Sequence, residues 1–154
     1  MALVIAVDDP RVDDVRGLLE RHLALSRAAS PPEHVHALDL DGLLNPAVTF
    51  FSARLDGVLV GMGALKRLDD AHAELKTMHT SESARRQGVG RAMLDHLVTV
   101  AAQRNYRRVS LETGTMDEFV AARRLYASAG FQPCEPFGAY TVNPYSTCMT
   151  LSFD

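Results

Sequence analysis

The period of the apolar positions changes repeatedly along the chain, and each change marks an element. Residues 2–7 form a short apolar run with no basic leader, ending at Asp8-Asp9-Pro10, and read as a strand rather than a signal segment. Val12, Val15, Leu18, Leu19 and Leu23 recur at helical spacing behind Asp9 and Pro10. An acid at the N-cap and a proline in the first turn predict a helix over 10–27. Ser30-Pro31-Pro32 ends it, and 33–44 reads as a second short helix before Asn45-Pro46. The runs 48–55 and 58–65 flank Asp56-Gly57, a tight-turn pair that predicts an antiparallel hairpin. A third strand follows over 73–80. From Gly88, Val89, Met93, Leu94, Leu97, Val98 and Ala101 keep one helical face until Asn105. The strand at 108–112 is then parallel to the one before it, because a helix crosses over between them. Ala122, Leu125, Tyr126 and Ala129 line a further helix that stops at Gly130, and 147–153 is a final strand. The order predicts one domain built on a mixed α/β sheet.

Between the third strand and the long helix lies Arg85-Arg86-Gln87-Gly88-Val89-Gly90. Small residues opening a helix leave several backbone N–H groups unpaired, with the positive end of the helix dipole behind them, and such a place binds phosphate. Gly88 and Gly90 remove side chains that would hold a diphosphate away, while Arg85, Arg86 and Arg91 add positive charge. A Walker loop is excluded because the chain has no Gly-Lys pair. A dinucleotide fingerprint wants a third glycine where Met93 stands, although Glu112 lies about where that motif places its ribose-binding acid. Seven polar or small residues, 81–87, also separate the strand from the glycines.

The loop does satisfy the pattern Gln/Arg, any two, Gly, any, Gly/Ala, through Arg85, Gly88 and Gly90. Here the chain resembles the GCN5-related N-acetyltransferase (GNAT) superfamily, whose pyrophosphate loop for acetyl-CoA has this form. The resemblance runs in register over residues 55–133. Upstream, 73–80 is similar to the family's central strand, with Glu74 four residues before Met78-His79-Thr80. Downstream, Leu125-Tyr126-Ala127-Ser128-Ala129-Gly130-Phe131 is similar to its Leu-Tyr, three residues, Gly-Phe signature. The implied fold is a mixed central sheet of about six to seven strands flanked by about four helices. The implied activity is direct transfer of acetyl from acetyl-CoA to an amine.

Such a transfer requires a neutral nucleophile, a polarised thioester carbonyl and a proton for the departing thiolate. An alkyl ammonium, with a pKa of about 10, must first lose a proton. Glu74 is the candidate base, on a strand face that simple alternation would share with Lys76, Met78 and Thr80. The same alternation puts His79, a second candidate, on the opposite face. The resemblance places Tyr126 beside the coenzyme sulfur as the acid, and a main-chain N–H near Met78 at the carbonyl oxygen. It assigns coenzyme contacts to Met78, His79 and Thr80 and to Arg85, Arg86, Gln87, Gly88, Val89, Gly90 and Arg91. Where many members of the family have asparagine, seven residues before the tyrosine, this chain has Phe119, with Thr113, Thr115 and Glu118 as replacements. The acceptor pocket falls by resemblance in 30–44 and 137–148, which bring His36 and Tyr140 forward as acceptor contacts, with His34, Asp39, Asn143 and Tyr145 nearby.

Composition narrows the class further. The 154 residues fit a single domain, and a net charge of −3 with mixed signs gives no field for nucleic acid or membrane surfaces. Cys134 and Cys148 have no metal or redox spacing, His34 and His36 find no third ligand, and no metal is expected. With no apolar stretch of bilayer length a cytoplasmic protein is expected, the aromatic and hydrogen-bonding residues of the pocket that the resemblance places favour a small polar amine over a peptide, and a homodimer is a family-level expectation. A noncatalytic acyl-CoA sensor and a dinucleotide enzyme are the alternatives.

Overall fold

The computed structural model describes residues 2–153. Its elements are β1 (Leu3–Val7), α1 (Asp13–Ala29), α2 (Leu40–Leu43), β2 (Val48–Leu55), β3 (Val58–Arg67), β4 (His72–Thr80), α3 (Val89–Gln103), β5 (Arg108–Gly114), α4 (Val120–Ser128), β6 (Gln132–Cys134) and β7 (Ser146–Ser152). The strands form one seven-stranded sheet in the order β1-β2-β3-β4-β5-β7-β6. Every neighbouring pair is antiparallel except β4 and β5, as the crossover through α3 requires. A mixed sheet of seven strands with four helices is the architecture expected from the sequence.

Alternation along the strands buries both faces. On one, Val15, Leu18, Leu19 and Leu23 of α1 pack with Leu43, Phe50, Met62 and Ala64. On the other, Val89, Met93, Leu94 and Leu97 of α3 pack with Phe51, Leu65, Leu75, Val109, Leu111 and Tyr126. The β2–β3 hairpin turns at Asp56 and Gly57, both at positive φ (51° and 84°), the geometry in which an Asp-Gly pair is favoured.

Three local expectations give way. The first helix starts at Asp13 rather than Pro10, because the Asp9 carboxylate accepts from the backbone N–H and guanidinium of Arg11 and so stabilises a separate turn. The second helix shrinks to a 3-10 turn at Pro32–His34 and the four-residue α2, whose Asp39 N-cap accepts from Gly42 N–H at 2.9 Å. The short strand β6 has no counterpart in the periodicity. It holds Pro133, which an edge strand tolerates.

Two irregularities in β4 shape everything functional. Its pairing with β5 ends at Glu74↔Ser110, so the strands diverge beyond that point. Its pairing with β3 runs from Ala64↔Lys76 to Met62↔His79, three residues against two, which is a bulge. Thr77 sits in it at φ 59°, left-handed backbone that costs a β-branched residue roughly 1–3 kcal/mol. Opposite the bulge, a Cβ on Gly63 would come within 2.9 Å of Met93 Cγ, so glycine lets α3 lie close to the sheet here.

Candidate active site

The divergence of β4 from β5 opens a cleft lined from β4 by Glu74 to Met78, from β5 by Leu111 to Gly114, and from α4 by Ala122 and Tyr126. Residues 34–37 and Tyr145-Ser146 close its far side. Beyond Glu74 the β4 edge facing β5 has no strand partner, so its main-chain groups are available to a ligand arm. Thr77 lies on this stretch, and Ser81 follows the end of the strand. The Thr77 and Ser81 hydroxyls are buried with no hydrogen-bond partner among the described residues.

At the cleft's end the chain makes a 3-10 turn, Glu82–Ala84, passes Arg86 at φ 65° and Gly88 at φ 82°, and enters α3. Gly88 is the N-cap and no side chain caps the helix. Among the described residues, no hydrogen bond uses the backbone N–H of any residue from 86 to 91. Such a run of free donors on a helix dipole has the chemistry that suits an anion. Arg85, Arg86, Gln87 and Gly88 are exposed, and Val89 is buried as the anchor of the turn. Arg91 is engaged otherwise, with Asp95 at 3.0 Å and Ser128 at 3.1 Å.

The bulge reassigns the faces of β4. Glu74 and Lys76 face α1, as alternation predicts up to that point. The extra residue then brings His79 to their face and moves Met78 and Thr80 to the α3 side, reversing the expected parity. Thr80 Oγ1 accordingly lies 3.6 Å from where a Cβ on Gly90 would be.

Glu74 is buried. Its Oε2 accepts from the Tyr140 hydroxyl and from Lys76 Nζ at 3.2 Å, and Lys76 also donates to the Tyr140 oxygen at 2.7 Å. The structure thus joins a candidate base to a candidate acceptor contact 66 residues away. Burial and the adjoining carboxylate push the Tyr140 phenol well above its usual range. The His36 ring stands edge-on to Tyr140 at 5.0 Å, and His34 lies 5.2 Å from Tyr145.

On the other wall, Tyr126 packs against Phe131 and its hydroxyl has no protein partner among the described residues. It is nevertheless not sealed from the cleft. Burial raises its pKa to about 12, which keeps the phenol protonated throughout the neutral range. Phe119 lines the cleft by lying on Gly114, where a Cβ would collide with its ring. Of the residues considered in place of the missing asparagine, Thr113 reaches the cleft, Thr115 donates to the Pro144 carbonyl at 2.6 Å, and Glu118 is exposed.

One group escaped the sequence, and a second was legible there only as a ribose-binding acid. His22 of α1 meets His79 with Nδ1 atoms 3.1 Å apart, one ring donating to the other. It lies on the stripe of Leu18 and Leu19, and that position was the available signal. Glu112 faces the cleft from the same side as Glu74, since Ser110 pairs with Glu74 and Glu112 is two residues on. Burial of both histidines lowers each pKa from 6.5 to about 4, with His79 adding to the effect on His22, and Arg85 and Arg21 to that on His79. A depressed folded pKa gives stability that is present above pH 6.5 and lost as pH falls towards 4. Chemical denaturation at stepped pH should show a loss on the order of 2 kcal/mol over that window. His22→Leu should remove the His22 share of that loss and leave the share that comes from His79.

Among the described residues, no group of three or more His, Cys, Asp or Glu is placed to hold a metal ion, and no helix is long and apolar enough to cross a membrane.

Residues 16–131 match the acetyltransferase (GNAT) family. The chain is 47% identical to the uncharacterized N-acetyltransferase YsnE of Bacillus subtilis, over 95% of this chain and 97% of that protein. It is 32% identical to an IAA acetyltransferase of Azospirillum brasilense, over 96% and 95% of the two chains. A GNAT family acetyltransferase structure from Elizabethkingia anophelis, with acetyl-CoA bound, shares the fold at a TM-score of 0.72 and 17% identity, with 98% of each chain covered. The fold and these similarities agree, and the chain belongs to the acetyltransferase (GNAT) family.

Proposed function

We propose that this protein transfers the acetyl group of acetyl-CoA directly to the amine of a small polar acceptor. The observation that carries it is the run of free amides from residue 86 to residue 91, set where the β4 edge loses its partner strand. The amides would receive the pyrophosphate, and the free β4 edge would receive the pantetheine arm. The acetyl-CoA bound by the Elizabethkingia acetyltransferase of the same fold supports this choice of ligand.

Tyr126 would donate its proton to the thiolate as the carbon–sulfur bond breaks, and a main-chain N–H near Met78 would hold the carbonyl oxygen. An aligned amide donor at developing negative charge contributes about 3 kcal/mol to such a step. The acceptor would enter from the α1 face, between residues 34–37 and Tyr140, where Glu74 and Glu112 are the two carboxylates within the cleft. Closure of that side by Tyr140, His36 and Tyr145 favours a small molecule over a peptide, and the IAA acetyltransferase relative is consistent with one. The free thiols Cys134 and Cys148, directly opposite each other on β6 and β7, fit a reduced compartment such as the cytoplasm.

Thiol release from acetyl-CoA over a panel of small amines tests the function. Acetylation of one amine class with stoichiometric CoA release is the expected result. Coenzyme binding with no release for any amine would favour a sensor instead.

A further inference from the structure

The two carboxylates in the acceptor half of the cleft have different surroundings. Glu74 is held through Oε2 by Tyr140 and Lys76, and Lys76 is itself nearly buried. Protonating Glu74 would leave that ammonium buried without its counter-ion, which makes the carboxylate a poor place to deliver a proton. Glu112 is not tied in this way. Among the described residues, its carboxyl group has only the Ser146 hydroxyl as a side-chain hydrogen-bonding neighbour, and Glu112 lines the cleft. It stands two residues past Ser110, the last residue of β5 to pair with β4, and so at the start of the wedge.

The groups facing Glu112 come from every neighbouring element. His36 comes from the loop after α1, Lys76 and Glu74 from β4, Ser146 and Cys148 from β7, and Tyr140 from the preceding segment. Burial raises the Glu112 pKa, against smaller opposing effects of the Ser146 hydroxyl, His36 and Lys76. Lys76 is the only lysine or arginine among the described residues lining the cleft, and it is already paired with Glu74. The cleft therefore holds one carboxylate with no lysine or arginine paired to it, only His36 and the Ser146 hydroxyl beside it, which suits an ammonium. It offers no free lysine or arginine to a carboxylate beside that ammonium.

We propose that Glu112 receives the acceptor's ammonium and takes its proton, and that the acceptor is an amine with no carboxylate on the adjacent carbon. This rests on the acetyltransferase reading above. The ammonium gives one proton to Glu112. The neutral nitrogen then forms its bond to the thioester carbon, the carbon–sulfur bond breaks, and the thiolate takes the Tyr126 proton. The second proton lost by the nitrogen restores the phenol, and the proton on Glu112 passes to solvent.

The test uses matched pairs in the thiol-release assay: tyramine and L-tyrosine, 2-phenylethylamine and L-phenylalanine, histamine and L-histidine, tryptamine and L-tryptophan. At least one free amine is expected to be acetylated with kcat/KM tenfold or more above its amino acid. For that amine, Glu112→Gln should lower kcat/KM about 100-fold and remove the acidic limb of its pH profile, with acetyl-CoA affinity unchanged. Glu112→Asp, which keeps the charge, should restore the limb. A limb that survives Glu112→Gln, or that disappears in Glu74→Gln instead, overturns Glu112 as the proton acceptor. An amino acid used as well as its amine, or rejection of all eight compounds by a protein that binds acetyl-CoA, overturns the acceptor class and leaves the coenzyme site standing. Failure of acetyl-CoA to bind the folded wild type would remove the coenzyme reading and this proposal together.

Discussion

Gly90→Val is expected to weaken acetyl-CoA binding about 100-fold, equivalent to ~3 kcal/mol, while the thermal midpoint moves by no more than about 3 °C. The separation between binding and stability comes from the geometry of position 90. A Cβ there meets only Leu125 and Thr80, at 3.5 and 3.6 Å, both ordinary contacts. Position 90 also lies in the first turn of α3, so the folded protein accommodates the side chain. A ligand phosphate seated on the amides of 86–91 would meet the branched side chain instead. Gly90→Ala is the control, since the family's loop pattern accepts alanine there, and it should retain binding. Gly88→Val should lose binding too, but with lowered stability, because φ 82° disfavours a β-branched residue even though space around it is free. Calorimetric titration with acetyl-CoA beside thermal melts would check all three. Retained affinity in Gly90→Val would reduce the loop to a structural turn.

Tyr126→Phe should lower kcat about 100-fold and leave the affinity for acetyl-CoA within about twofold, as loss of a general acid requires. Phenylalanine preserves the packing against Phe131 and removes only an oxygen that has no protein partner among the described residues. The raised pKa sets the pH behaviour. The phenol stays protonated up to about pH 12, so Tyr126 imposes no alkaline limb on the wild-type rate below about pH 10. The same shift gives stability that is full below pH 10 and lost as pH rises towards 12. Steady-state rates for the variant, with coenzyme affinity measured separately, would show the split. Unchanged turnover would remove Tyr126 from the chemistry.

Much of the frame was legible because it rests on local signals. Asp56-Gly57 set the hairpin, the stripe from Val89 to Ala101 set the helix behind the loop, and Gly130 marked the end of α4. The loop itself was visible in its glycines. What stayed hidden depends on departures from periodicity or on distant partners. The bulge at Thr77 adds one residue with no glycine to announce it, and that residue moved His79 to the face of Glu74. The contact of Tyr140 with Glu74 spans 66 positions and follows from how 137–146 folds back over the sheet, which no pattern encodes. Glu112 drew notice only as a ribose-binding acid. Its place in the cleft depends on where β4 and β5 part, and that point is a property of the tertiary structure.

The wedge between β4 and β5, with the unbonded amides of 86–91 beyond it, predicts one ligand class above all others. Calorimetric titration of the purified protein with acetyl-CoA, CoA and NAD asks for it directly. Saturable binding of acetyl-CoA and CoA, with none of NAD, is the predicted result. A folded protein that bound NAD, or that bound no CoA species, would contradict it.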